Sequence, residues 1–294
     1  MNDQPIGMRV PRSRRWVLTR AAATAAAVAV PSAWAATAAA QDDVGALAAV
    51  DMEMILVAAM VDPPKSGTGI TPGAGEHVKP VEQALNAKGL LAAAQVDGHY
   101  GTSTISAYSS WQKSLGYAGL DANGLPGKTS LTKLGEGRFT VSNAVSAGSR
   151  TDSYGGRRTN TRTVNMLASA DAKISWGISL TQGSYTDDNA GSAGTHDGGG
   201  VIDIGVNSMS ATQRWQTVKA LRTVGFAAWL RTPDQGFAYH IHAVAVADPD
   251  MSGPAQRQVH DYYYGKNGLA SHAADNTPSE YRMPFTWWEK YKRS

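Results

Sequence analysis

Apolar positions along this chain recur with two different periods, and the change between them falls near the middle. From about His77 to Leu134 the spacing is helical. Val78, Val81 and Leu85 share one face of a predicted helix that Gly89 can close. Ile105, Tyr108, Trp111 and Leu115 share the face of a second, with Thr102 or Ser103 as its expected cap and Gly116 at its end. Gly127 and Thr129 open a third, which carries Leu131 and Leu134. Asp97-Gly98 and Asn123-Gly124 supply the turns between them. Beyond Val164 the pattern becomes mixed. A short helix near 161–173 precedes a strand in "ISLTQGSY", a glycine-rich loop and an apolar strand, "VIDIGV". A helix capped by Ser210 then points Trp215, Val218 and Leu221 inward and ends at Gly225. The strands "FAAWLR" and "FAYHIHAVAVA" follow, with a turn over Pro233–Gly236 between them. This grammar predicts an α+β protein, a small all-α N-terminal module followed by a domain with a small antiparallel sheet and flanking helices.

The first 40 residues follow a different logic. Arg14 and Arg15 precede the alanine-rich run "RAAATAAAVAVPSAWA", which ends in a small-x-small site at Ala33-Trp34-Ala35. This is the anatomy of an export signal, and the paired arginines resemble the twin-arginine type; a general secretory signal with an incidental arginine pair is the alternative. The run is too short for a permanent transmembrane helix, so a secreted or wall-associated protein without a stable membrane anchor is expected. Residues 41–75 then read as a short apolar helix and a Pro/Gly/Ser-rich linker, 76–137 as the helical module, 138–160 as a second connection and 161–294 as the mixed domain. The signal takes five arginines and one aspartate from totals of 27 basic and 24 acidic residues, leaving 22 and 23, a net of −1. No basic footprint for nucleic acid survives. With 42% apolar and 17% charged residues the chain is globular rather than disordered. It has no cysteine, which excludes disulfides, thiol nucleophiles and thiolate metal sites; any metal must be held by histidine and carboxylate.

The helical module carries a resemblance. The order V-x-x-V-x-x-x-L-x-x-x-G, then V-D-G-x-Y-G-x-x-T, then A-Y-x-x-W-Q, then G-x-x-T-x-x-x-L is similar to the peptidoglycan-binding three-helix module of bacterial wall enzymes. The resemblance covers about 60 residues and implies peptidoglycan as partner. A helical domain that only packs on its neighbour is the plainer reading.

Chemistry concentrates in the mixed domain. Among seven histidines, His240 and His242 stand at i and i+2 on a predicted strand, so both rings leave one face. Asp203 interrupts the apolar run between Ile202 and Ile204, and a lone carboxylate there is costly to bury without a partner. His196 lies seven residues earlier, across Asp197 and three glycines that would let the backbone turn back over the strand. Two histidines and a carboxylate with one open position form the ligand set of a catalytic zinc site. Taken singly, His196 as an exposed loop residue and the H-x-H pair as a polar hairpin face are the plainer readings.

H-x-x-x-x-x-x-D followed by H-x-H resembles the zinc peptidase group of D-alanyl-D-alanine carboxypeptidases, lysostaphin-type endopeptidases and hedgehog-like domains, with the spacing of seven nearest the carboxypeptidase branch. The resemblance covers about residues 160–250. It implies His196, Asp203 and His242 as zinc ligands and His240 as the base or transition-state stabiliser. Two departures stand out. Many such carboxypeptidases place a glutamate before the last ligand, a role that falls here to His240. They also tend to carry an arginine upstream of the first ligand, to pair with the substrate's terminal carboxylate. Upstream of His196 the strand offers only Gln182, Ser184 and Tyr185, and the nearest arginines are Arg157, Arg158 and Arg162. Gln182, Tyr185, Arg157 and Arg158 are therefore the candidate substrate-binding residues, and an internal cross-link becomes as plausible a target as a free terminus. His260 is expected to be structural, and Trp287 and Trp288 to pack the tail onto the domain. The whole implies an exported, monomeric zinc peptidase of peptidoglycan, with a non-catalytic wall-binding protein as the alternative.

Overall fold

The computed structural model describes residues 47–63, 70–187 and 190–294; the expected export signal lies outside them. The chain enters as a strand, β1 (Ala48–Asp51), and only then forms α1 (Met52–Val61). The short apolar helix expected in this stretch begins only at Met52. Asp51 sets that start, because its carboxylate accepts the Glu53 and Met54 amides as an N-cap at 2.9 and 3.2 Å. The residues before it stay extended and pair in parallel with β2 (Phe139–Ser142). α1 is buried nearly all round, which suits a central helix rather than an amphipathic surface one. Its one acid, Glu53, is satisfied by the tail: Trp287 Nε1–H at 2.6 Å and the Arg293 guanidinium at 2.7 and 2.8 Å. The tail therefore packs on α1 through Trp287, outside the mixed domain, while Trp288 packs against the core of that domain as expected.

The helical module comprises α2 (Gly75–Ala87), α3 (Thr102–Ser114) and α4 (Lys128–Gly135). Neither Thr102 nor Ser103 caps α3: the cap position is Gly101, and it makes no side-chain capping bond. Tyr100, Tyr108, Leu85, Leu131 and Leu134 fill the core, with Trp111 donating to the Ser130 carbonyl at 3.0 Å. Glu82 is fully buried among them and accepts the Asp97 and Gly98 amides and the Thr104 hydroxyl.

Burial pushes the Glu82 carboxyl up to about 7. A raised folded-state value means the stability it contributes is present below its unfolded value, near 4.5, and is lost as pH rises through about 7. The melting temperature is expected to fall between pH 5 and 8 more steeply in the parent than in Glu82→Gln. Equal slopes in the two proteins would remove Glu82 from the account.

The stretch 138–160, expected as a connection, contains β2 and a hairpin, β3 (Asp152–Tyr154) with β4 (Arg157–Thr159). Asn160 then caps α5 (Thr161–Asp171) through the Thr163 amide. The main sheet follows: β5 (Leu180–Gln182), β6 (Val201–Gly205), α6 (Ala211–Thr223), β7 (Phe226–Arg231) and β8 (His240–Ala245), in the order β5-β6-β8-β7, antiparallel throughout. α7 (Gly253–Tyr263) and α8 (Trp288–Arg293) complete an α+β fold. The Ser210 cap of α6 is present as a reciprocal pair with Gln213. Among the described residues no helix is long and apolar enough to cross a membrane.

Alternation along the strands decides where the site lies. Ile202, Ile204, Phe226, Ala228, Ile241 and Ala243 point to one face and bury against α5 and α6. Val201, Ala227 and Val244 point to the other, where they join the core shared with α1 and α7. The continuation of that second face is polar. The apolar cover runs out there, and a cavity opens.

Candidate metal centre

Strand register builds the centre in two rungs. In the first, Gln182 pairs with Asp203, Asp203 with His242 and His242 with Trp229. In the second, Gly205 pairs with His240 and His240 with Arg231. Residues directly opposite in adjacent strands share a face, so these side chains converge on one patch. Asp203 is thus tolerated between two isoleucines because it faces away from them.

His196 joins from a short turn, Thr195–Asp197, after Gly194 in the left-handed region at φ 76°. The three following glycines matter chiefly for backbone proximity. Only Gly200, at φ 80°, needs the left-handed region. A Cβ on Gly198 would run into the Asp250–Ser252 backbone, and one on Gly199 into Asn160 and the Tyr185 hydroxyl. The Gly199 amide donates to the Asp250 carbonyl at 2.8 Å, and the Ser252 hydroxyl to the Thr195 carbonyl at 3.0 Å. The loop before α7 therefore holds the His196 turn in place.

One ligand atom each from His196, Asp203 and His242 lies within 4.8 Å of the other two, and both rings are buried. His196 Nε2 is 3.5 Å and His242 Nδ1 2.8 Å from Asp203 Oδ1. The far nitrogen of each ring also has a partner. His196 Nδ1 lies 2.8 Å from the Gly183 carbonyl, which can only accept, so Nε2 carries the lone pair. His242 Nε2 lies 2.8 Å from Gln258 Oε1, whose orientation is fixed because the amide nitrogen donates to the Gly268 carbonyl at 3.0 Å. His242 Nδ1 also faces an acceptor, Asp203 Oδ1 at 2.8 Å, so it donates there, and it would turn a lone pair toward a cation only with its hydrogen on Nε2. Each ring has an acceptor at the nitrogen that points away, the arrangement usual for metal-binding histidines.

Burial pushes the Asp203 carboxyl up, but the hydrogen bonds and charges of His196 and His242 outweigh it and hold it well below the usual carboxylate range. Burial pulls the His242 imidazole below its ordinary value, and the bond to Asp203 does not restore it. An anionic carboxylate beside a neutral imidazole is the state a cation requires. The group could hold a metal ion.

His240 sits at the edge of the cluster. Its Nδ1 donates to the Ala238 carbonyl at 2.8 Å, leaving the Nε2 lone pair 3.9 Å from Asp203 Oδ1. It is less buried than the other two rings and lines the same cavity, whose volume is about 660 Å³.

The expected substrate-binding residues divide. Gln182 lines the cavity beside Asp203. Arg157 and Arg158 line a neighbouring depression, which Gln182 shares. Tyr185 does not line the cavity; its backbone turns through φ 59°, and its hydroxyl donates to Asp250 Oδ2 at 2.8 Å, so it braces the loop under the glycines. Arg162 is buried against Glu289, away from the site.

The cavity brings in side chains that the sequence reading overlooked. Arg231 enters from β7, and Arg257, Gln258 and Asp261 from α7. Burial lowers the Arg231 guanidinium to about 10, so it remains a cation at neutral pH. Its Nη1 donates to the Asn267 carbonyl, while Nη2 has no hydrogen-bond partner among the described residues. The signals were available: Trp229 and Arg231 alternate with the core residues of "FAAWLR", and Pro254, Arg257, Gln258 and Asp261 fall at i, i+3, i+4 and i+7. Comparison with protein-family models, with curated proteins and with solved structures returned no match.

Proposed function

We propose that the protein is an exported zinc-dependent peptidase that hydrolyses D-amino-acid peptide bonds in peptidoglycan stem peptides or cross-links, with the helical module binding the wall. The observation that carries this reading is the convergence of two imidazole nitrogens and one carboxylate on a common point in the cavity. The donor set suits zinc, since two histidines and an acid leave a coordination position open. Zinc held there would supply Lewis acidity toward a substrate carbonyl and toward water.

The side chains around it have separable tasks. His240 Nε2, with its lone pair turned toward Asp203, takes the proton that water gives up when it attacks. Arg231 and Arg257 are the cations available to a substrate carboxylate, in place of the arginine absent upstream of His196. Gln182 joins the cavity to the depression lined by Arg157 and Arg158, which suits a substrate longer than a dipeptide.

The test is direct. The purified protein is incubated with muropeptides and stoichiometric zinc, with and without a chelator, and the products are read by mass spectrometry. Loss of a terminal D-alanine or opening of a cross-link, abolished by the chelator, is expected. Muropeptides of unchanged mass in the presence of zinc would leave a wall-binding protein without peptidase activity.

A further inference from the structure

Hydrolysis of an amide needs two proton transfers, and the metal cluster accounts for one. Water must lose a proton to attack, and the departing nitrogen must gain one, because an amide anion is too poor a leaving group. His240 stands on the sheet wall of the cavity, beside Asp203. A second oriented imidazole stands on the loop wall. It is His272, in the segment between α7 and α8, and it lines the same cavity.

His272 is built into its position. Its Nδ1 lies 2.9 Å from both carboxylate oxygens of Asp261, and Asp261 is buried on α7. Among the described residues that carboxylate has no other hydrogen-bond partner. The carboxylate can only accept, so Nδ1 carries the hydrogen and Nε2 is the position free to exchange a proton. The backbone at His272 turns through φ 47°, a conformation that costs a non-glycine residue on the order of 1 kcal/mol. The ring is 64% exposed, on the solvent side of the cavity, where a released amine would leave and a spent acid could be recharged.

We propose that His272, oriented by Asp261, is the general acid that protonates the departing amine; the proposal rests on the peptidase reading above. The oxygen of water joins the carbonyl carbon, and one water proton passes to His240 Nε2. The carbon–nitrogen bond breaks with its electron pair on nitrogen, and that nitrogen takes the proton from His272 Nε2. Solvent then reprotonates His272 and relieves His240. Nothing is oxidised or reduced. The charged groups that share the cavity with His272 are Asp261 and Arg257 from α7, Arg231 from β7 and Asp203 from β6, besides the histidines of the metal group.

The decisive variant is His272→Asn. An asparagine amide can still donate to Asp261 and tolerates the left-handed backbone, so the loop stays tied while the exchangeable proton is lost. Two substrates with the same D-alanyl acyl group are compared, a peptide amide and a thioester, whose thiolate leaves without protonation. For the amide, kcat is expected to fall about 10²-fold, with its alkaline limb displaced, while KM and zinc stoichiometry hold. For the thioester, turnover should stay within about threefold of the parent. Amide turnover equal to the parent's, or equal losses on both substrates, would overturn the assignment. A parent protein that cleaves no amide in the presence of zinc would overturn the peptidase reading itself, and this inference with it.

Discussion

On the zinc-peptidase function proposed above, Asp203→Asn is expected to give a folded protein that neither retains zinc nor cleaves wall peptides. The carboxylate is the common point of the cluster: His196 Nε2, His242 Nδ1 and His240 Nε2 all approach Oδ1, at 3.5, 2.8 and 3.9 Å. An amide of the same shape removes the negative charge and can place a donor against imidazole lone pairs that should face a cation. Loss of an outer hydrogen-bond partner alone typically costs 10–100-fold in metal affinity, and loss of a ligand should cost at least that. Folding should survive, because Asp203 faces the cavity rather than the core formed by Ile202 and Ile204. Metal analysis after dialysis, together with turnover of a muropeptide, checks the result. Undiminished zinc in this variant would take Asp203 off the ligand set.

Trp229→Ala should have the largest effect on stability. The side chain is 1% exposed, and its indole stacks on the His242 ring at 6.4 Å between centroids and 21° between planes. Its other neighbours are the edge-on ring of Tyr262 and the backbone of Gly268, where a Cβ would meet the indole at 2.9 Å. Nε1 donates to the Lys266 carbonyl at 2.9 Å. Truncation leaves a large cavity and an orphaned carbonyl, for about 3–5 kcal/mol. In a folded unit of this size that lowers Tm by on the order of 10 °C. On the proposed function zinc affinity should fall too, because the indole packs behind His242 and ties down the loop whose Gly268 orients Gln258. Trp229→Phe keeps most of the packing and loses one hydrogen bond, so it should cost far less, about 1 kcal/mol for the bond. A Trp229→Ala protein within 1 kcal/mol of the parent in denaturant unfolding would contradict this picture.

What the chain disclosed in advance, and what it withheld, follows from the range of the interactions involved. The helices of the N-terminal module and the strands of the main sheet were legible because their signals are local: i, i+3, i+4 spacing, left-handed glycines at Gly89, Gly116 and Gly225, and strict alternation in β6, β7 and β8. The same alternation made His240 and His242 a same-face pair. It places Arg231 on that face as well, on a strand downstream of His196 rather than upstream. β1 was not legible, because its extended state depends on a parallel partner about 90 residues away. Tyr185 was misplaced for a related reason. A left-handed turn beyond the end of a strand reverses the direction that alternation would assign, and nothing in "QGSY" announces it. The tie between His272 and Asp261 joins a loop to a helix and has no periodic signature.

The parallel pairing of β1 with β2 has a consequence for how the two halves can act. These strands flank the helical module on either side in sequence, and α1, which follows β1, shares a buried core with that module, with α7 and with Val201, Ala227 and Val244 of the sheet. The module is thus clasped at both ends rather than strung on a flexible tether. The module is thereby held at a set distance and direction from the cavity, and a polymer bound to it, on the function proposed above, would be offered to the cavity one bond at a time. Cutting the chain at residue 138 to obtain the sheet half alone would strip away β1's partnership and the apolar cover of α1, so the minimal folding unit should begin before Ala48.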